Sequence, residues 1–264
     1  MHVAATRAAL VIAGAATVAC GGVGTPAVAH DPQSTSRDTA ALPPAARTVL
    51  IEGTSLTAGA GLDPDQAYPS LLQQKIDSAG LGFTVKNAGL SGETSAGALR
   101  RLDWLLRGPI DVFVLETGAN DGLRGLDVDS LRANIQAVIR GVKRARPMAR
   151  ICLVQMEAPP NLGPAYARAF HAVYPALAQS EGITLLPFLL DGVAGKPALN
   201  QSDGMHPNVR GERIVAATVW RALEPVLRAV AAGRTAILRA ALGGGGRSVA
   251  WARVAQVDHD WMIR

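Results

Sequence analysis

From residue 48 onward, short apolar runs alternate with longer amphipathic ones, as strands alternate with helices. Residues 48–52 read as a first strand, followed by a turn and a helix over 68–79. Residues 83–87 predict a second strand, leading to Gly89 and a helix over 95–106. The run 111–117 is apolar through its centre, as expected of a strand covered on both faces. After it, Leu131, Ile135, Val138, Ile139 and Val142 recur on one face at the helical period, with Asp129 or Ser130 as the expected cap. Residues 150–155 and 183–186 supply a fourth and fifth strand, with a helix-like run over 165–179 between them and a last helix over 209–230.

Strict alternation of this kind predicts an α/β domain, a parallel sheet with helices on both faces. Ligands of such sheets bind beyond the carboxyl ends of the strands. Ser55 follows the first strand, Gly89 the second and Asn120 the third, and Asp203 and His206 follow the fifth. These positions can converge. Singly, each has a plain reading: a helix-capping Ser, turn glycines and asparagines, an Asp and His ahead of a helix.

The ends of the chain read differently. Arg7, an apolar stretch over 8–19 and Ala27-Val28-Ala29 read as a signal peptide over 1–29, too short to span a bilayer. A second reading takes residues 17–21 as a lipoprotein cleavage box with Cys20 lipidated, which would tether the protein to a membrane. Both readings place the protein outside the cytoplasm, periplasmic or secreted. Residues 30–47, rich in Pro, Ser, Thr and Ala, read as a disordered lead-in. The domain is expected over 48–230, with an Arg/Gly-rich tail over 231–264 that includes four consecutive glycines at 243–246.

Composition narrows the function. A chain of 264 residues, 48% hydrophobic, can bury one substantial core. Its net charge of +5 is a property of the ends: the stretch from Arg228 holds six arginines against Asp258 and Asp260, and the remainder is nearly neutral. No basic stripe with interleaved aromatics marks a nucleic-acid partner. The second cysteine, Cys152, lies in the fourth strand and reads as a small buried hydrophobe. No metal-ligand spacing, phosphate loop or dinucleotide glycine pattern occurs, so the chain is expected to work without a cofactor.

The chemistry begins with His206 in Asp203-Gly204-Met205-His206-Pro207. A serine hydroxyl becomes a nucleophile when a base takes its proton, and the base works when a third group holds its ring. Of the five histidines, His2 lies in the export signal, His30 at the expected mature start, His259 in the tail and His171 in a helix-like run. His206 has a carboxylate three residues before it. Ser55, Asp203 and His206 are therefore the candidate catalytic residues.

Four blocks in order resemble the GDSL, or SGNH, hydrolases, closest to the exported bacterial branch of arylesterases, thioesterases and lysophospholipases. They are residues 52–59 (Glu-Gly-Thr-Ser-Leu-Thr-Ala-Gly), 87–95 (Asn-Ala-Gly-Leu-Ser-Gly-Glu-Thr-Ser), 116–125 (Glu-Thr-Gly-Ala-Asn-Asp-Gly-Leu-Arg-Gly) and 203–208 (Asp-Gly-Met-His-Pro-Asn). The resemblance covers about 49–227. It implies a flavodoxin-like three-layer α/β/α sandwich with a five-stranded, mainly parallel sheet. It also implies a nucleophile at Ser55, a base at His206 oriented by Asp203, and an oxyanion hole from the Ser55 and Gly89 N–H groups and the Asn120 amide.

The chain departs from the family at two positions. Thr54 stands where the family has Asp, and a Thr hydroxyl is expected to hold the nucleophile turn with fewer hydrogen bonds. Glu52 occupies a strand position that is usually apolar, either buried near Ser55 or reaching solvent at the strand end. By loop position, Leu56, Leu90, Met156, Pro159, Leu162 and Tyr166 are expected to bind the acyl or aryl part of a small ester or thioester, and a monomer is expected. The alternatives are a carbohydrate O-acetyl esterase on the same scaffold and, given Thr54, a fold that only binds a lipid or partner.

Overall fold

The computed structural model describes residues 47–242. The expected signal peptide, nearly all of the lead-in and the glycine run at 243–246 lie outside the described residues. Five strands, β1 (Arg47–Gly53), β2 (Phe83–Gly89), β3 (Val112–Leu115), β4 (Arg150–Val154) and β5 (Thr184–Leu186), form one sheet in the order β2-β1-β3-β4-β5. Every pairing is parallel, so the expected α/β class holds and the sheet is more uniform than "mainly parallel" required.

Among the described residues, seven α-helices and two short 3-10 turns accompany the sheet: α1 (Ser55–Ala58), α2 (Tyr68–Ser78), α3 (Ser95–Leu105), α4 (Ala119–Leu123), α5 (Val128–Ala145), α6 (Pro164–Glu181) and α7 (Val209–Leu242) are the α-helices. The chain steps from β1 outward to β2, then back across the sheet to β3, β4 and β5. Right-handed crossovers therefore put α2 on one face and α3, α5 and α6 on the other. Helix α7 packs beside α2, and α5 lies between α3 and α6. This is the three-layer sandwich.

Strand β3 is buried throughout, and the five α5 residues picked out by their period are all at most 1% exposed. Burying such side chains stabilises the fold by roughly 1.5–3 kcal/mol each before entropy is charged against it. Cys152 is packed in the same core, where burial pushes its thiol up to about 12.

Most boundaries shift by one or two residues from expectation, and two of the differences have a visible cause. The cap of α5 is Asp127, not Asp129 or Ser130: its carboxylate accepts the Ser130 N–H at 2.8 Å and the Ser130 hydroxyl at 2.8 Å. A capping side chain bonds two or three residues ahead, so the cap lies before Val128 and not at the first apolar contact. Helix α7 runs to Leu242, past the expected end at Val230, because Ala, Leu and Arg, all strong helix formers, dominate residues 231–242.

Candidate active site

The carboxyl ends of β1 and β2 are level, with Gly53 beside Gly89 and Glu52 beside Ala88. Ser55 opens α1 directly after this edge, at the tight turn Gly53-Thr54-Ser55. Gly53 is required there: a Cβ would run into Thr57 Oγ1 and the Glu116 carboxylate. The short helix ends at Gly59, whose φ of 71° suits glycine.

The loop before α7 brings His206 to this serine. His206 Nε2 lies 2.8 Å from Ser55 Oγ, and His206 Nδ1 lies 2.6 Å from Asp203 Oδ2. Asp203 Oδ1 accepts the N–H groups of Met205 at 2.9 Å and His206 at 3.0 Å, which fixes the carboxylate. These bonds, the His206 ring first, hold the Asp203 carboxyl down at about 2. The Gln201 amide, donating to Ala60 O at 2.8 Å and Pro207 O at 3.0 Å, ties the histidine loop to the nucleophile loop. Ser55, Asp203 and His206, the three residues picked out from sequence, thus form one hydrogen-bonded line.

Asn120 lies in α4 and lines the same groove. One N–H of its amide donates to Glu93 O at 3.0 Å, which sets the plane of the group; an amide has a second N–H to offer. Asp121 fixes α4 further by accepting the Ser95 N–H at 2.8 Å and hydroxyl at 2.6 Å.

Gly89 is not placed as expected. Its N–H donates to Asn87 Oδ1 at 2.9 Å, its Cα packs against the Thr57–Ala58 backbone, and it does not line the groove. Of the two glycines in the segment that ends β2 and leads to α3, the one that lines the groove with Ser55, Asn120 and His206 is Gly92, at φ 79°. Its N–H has no hydrogen-bond partner among the described residues. Backbone does approach Gly89 closely, but the approach serves the packing of β2 on α1. Gly92 stands in the quoted block, Leu-Ser-Gly-Glu-Thr, and a glycine followed by a polar pair just before a helix was the available signal.

Thr54 is held to a buried carboxylate. Its N–H donates to Glu116 Oε2 at 2.7 Å, its hydroxyl lies 3.0 and 3.1 Å from the two Glu116 oxygens, and its Oγ1 accepts the Leu56 N–H at 3.4 Å. Thr57 also donates to Glu116, at 2.9 Å. Glu116 is fully buried, and burial raises its carboxyl above the usual range against these bonds. Sequence reading gave Glu116 no role, although a carboxylate ending an apolar strand is itself a signal.

Glu52 takes the buried alternative. It is 0% exposed, both its oxygens lack hydrogen-bond partners among the described residues, and Arg101 Nε lies 3.7 Å away. Burial pushes its carboxyl up to about 8, against the pull of Arg101 and with the push of Glu93. Arg101 is mainly engaged elsewhere, by Glu93 from its Nε at 2.7 Å and Nη2 at 2.5 Å, and by Gly53 O at 3.3 Å.

The groove beside Ser55 has a volume of about 640 Å³. Of the expected binding residues, Leu56, Met156 and Pro159 line it, joined by Leu123, Pro160, Phe188, Leu190 and Met205. Leu90 lies in a neighbouring depression instead. Leu162 and Tyr166 do not reach the groove: Leu162 packs near Gly125, and the Tyr166 hydroxyl donates to Leu126 O at 2.7 Å. Leu162, in the loop after β4, and Tyr166, in the first turn of α6, both meet the turn after α4. His171 is an exposed partner of Glu157 at 2.7 Å.

The profile of the GDSL-like lipase/acylhydrolase family matches residues 53–214. Esterase TesA of Pseudomonas aeruginosa is 40% identical over 184 residues, 69% of this chain and 90% of that protein. The Escherichia coli protein named thioesterase 1/protease 1/lysophospholipase L1 is 39% identical over 184 residues, 69% of this chain and 86% of that one. The crystal structure of the psychrotrophic esterase EstA from Pseudoalteromonas sp., inhibited by monoethylphosphonate, superposes with a TM-score of 0.65 at 35% identity, covering 69% of this chain and 99% of that one.

Proposed function

The chain belongs to the GDSL-like lipase/acylhydrolase family, and from that premise we propose that it hydrolyses carboxylic esters and acyl thioesters through an acyl-enzyme on Ser55. The observation that carries the reading is the line Ser55 Oγ to His206 Nε2 at 2.8 Å and His206 Nδ1 to Asp203 at 2.6 Å.

His206 Nε2 takes the Ser55 proton as Oγ attacks the carbonyl carbon. The resulting oxyanion is held by the N–H groups of Ser55 and Gly92 and the free amide N–H of Asn120. Asp203 keeps the ring oriented and stabilises the imidazolium. Collapse breaks the carbon–oxygen or carbon–sulfur bond, and His206 passes the proton to the departing alcohol or thiol. Water then attacks the acyl carbon while His206 takes its proton. The acid leaves, and the proton returns to Ser55 Oγ.

The apolar wall of Met156, Pro159, Phe188 and Leu190 supports an acyl or aryl group over the acetylated sugar of a carbohydrate esterase. The bonds around Thr54 support a working enzyme over a binding-only fold. Reaction with a fluorophosphonate probe tests the assignment: the parent should be labelled once and Ser55→Ala not at all. Equal labelling of both would overturn it.

Export to the periplasm or medium, with Cys20 as a lipid anchor on the second reading, rests on the sequence of residues 1–29. The N-terminal mass of the protein recovered outside the cytoplasm distinguishes cleavage after Ala29 from lipidation at Cys20. The monomer is tested by light scattering of the purified chain.

A further inference from the structure

The groove is not alone at the catalytic edge. A depression of about 400 Å³ adjoins it, walled by Arg100, Arg101, Arg124 and Glu93. Ser91 and Gly92 line both cavities, so the two share a rim. We propose that this depression is a subsite for a phosphate group carried by the leaving half of the substrate, with Arg100 and Arg124 as its ligands. The proposal rests on the hydrolase reading above and deepens it.

The sheet order gives the orientation. Strand β2 is at one edge and β4 with β5 at the other, with β1 and β3 between them. Ser55 follows β1 and Asn120 follows β3. The apolar wall, from Met156 to Pro160 with Phe188 and Leu190, comes from the loops after β4 and β5. The arginine wall comes from the loop after β2, from α3 and from the end of α4. An ester lying across Ser55 with its acyl part on the apolar side turns its alcohol or thiol part toward the arginines.

The charges are arranged to match. Arg101 is neutralised by Glu93, which its Nη2 approaches to 2.5 Å. Arg124 donates to Gly92 O at 2.9 Å and is otherwise exposed, so its guanidinium is anchored at the shared rim. Arg100 is exposed and makes no ion pair among the described residues. Two guanidinium groups thus remain for an anion, and the planar fork of arginine fits phosphate oxygens in pairs. On the other side of Ser55 the groove carries a carboxylate, Glu157. That carboxylate is already bonded to His171 at 2.7 Å and the groove lining offers a phosphate no guanidinium, so the arginine side of Ser55 is the one that attracts it.

The test compares kcat/KM for a 1-acylglycerol 3-phosphate and for the 1-acylglycerol with the same acyl chain. The full chain, Arg100→Gln, Arg100→Glu and Arg124→Gln are assayed side by side. Arg100 has no partner to lose, so its substitution leaves the packing intact, and circular dichroism checks that the variants fold. The ratio of phosphate ester to neutral ester should fall roughly tenfold in Arg100→Gln, through KM, and further in Arg100→Glu. Added salt should shrink the ratio in the parent. A ratio unchanged in all three variants overturns the subsite. Hydrolysis of the neutral ester alongside that result leaves the hydrolase reading standing; hydrolysis of neither ester by the parent overturns both.

Product inhibition identifies the source of the phosphate. Glycerol 3-phosphate and coenzyme A are each set against a neutral aryl ester. Competition by either one that weakens in Arg100→Glu supports the subsite and names the leaving group, while competition by neither overturns it.

Discussion

At the scale of single residues, the chemistry was readable where a side chain is useless without its partner. His206 needs Asp203 three residues before it and a hydroxyl in front of it, and all three meet within 2.8 Å. Asn120 was readable for a similar reason, as a neutral donor in a loop that the triad must face. Its amide should contribute in the transition state, so Asn120→Ala is expected to lower kcat about 10²–10³-fold with little change in KM. Steady-state kinetics on an aryl ester read this, and parental turnover would remove Asn120 from the oxyanion hole. Gly89 was misassigned because two glycines in one loop look alike in sequence, while backbone direction gives one to packing and the other to the groove. The bonds that hold Thr54 were not readable because their partner, Glu116, lies 62 residues away. Losing the hydroxyl should leave the buried Glu116 short of donors, so Thr54→Val is expected to cost about 1–3 kcal/mol in urea unfolding. Thr54→Ser should recover most of it. Equal midpoints for Val and the parent would show that the hydroxyl does not hold the turn.

At the scale of elements, apolar runs and periodicity located all five strands and the large helices; burial imposes the pattern directly on β1, β3, β4 and α5, while the edge strands β2 and β5 are only partly buried. It could not place ends, because ends are set by caps and glycines rather than by the core. Helix α4 shows what this precision serves. Its five residues carry Asn120, and it begins after Gly118 at φ 104°, where a Cβ would collide with the Tyr174 hydroxyl and approach Leu131 Cδ1 to 3.2 Å. That hydroxyl donates to Thr117 O at 2.9 Å, so the start of α4 is wedged against the core helices α5 and α6. Gly118→Ala should strain the backbone and displace Tyr174 together, costing about 1–3 kcal/mol. It should also shift Asn120, so kcat is expected to fall along with the thermal midpoint. A variant with a lowered midpoint and parental kcat would show that α4 keeps its position without this wedge.

For the whole molecule, the telling feature is how many carboxyl groups the fold buries behind one catalytic edge. Glu52, Glu116 and Glu212 are each at most 1% exposed. Burial raises all three, Glu52 and Glu212 to about 8. Glu212 accepts the Tyr68 N–H at 2.8 Å and joins α7 to α2, while Glu52 meets Arg101 without a hydrogen bond. An unfolded glutamate releases its proton near 4.5, so between there and about 8 the folded chain holds more protons than the unfolded one. Stability must therefore fall as pH rises through that interval, with the penalty complete above it. At the acid end Asp203, held down at about 2, acts in the opposite sense and is lost as pH falls toward that value. The urea midpoint should accordingly be higher at about pH 5 than at about pH 9. Glu52→Gln removes one of the contributing groups while keeping its size. Its midpoint should approach or pass the parent's as pH rises, by an increment on the order of a few kcal/mol at about 1.4 per pH unit. Parallel pH profiles for the variant and the parent would mean that Glu52 titrates as freely in the folded chain as in the unfolded one.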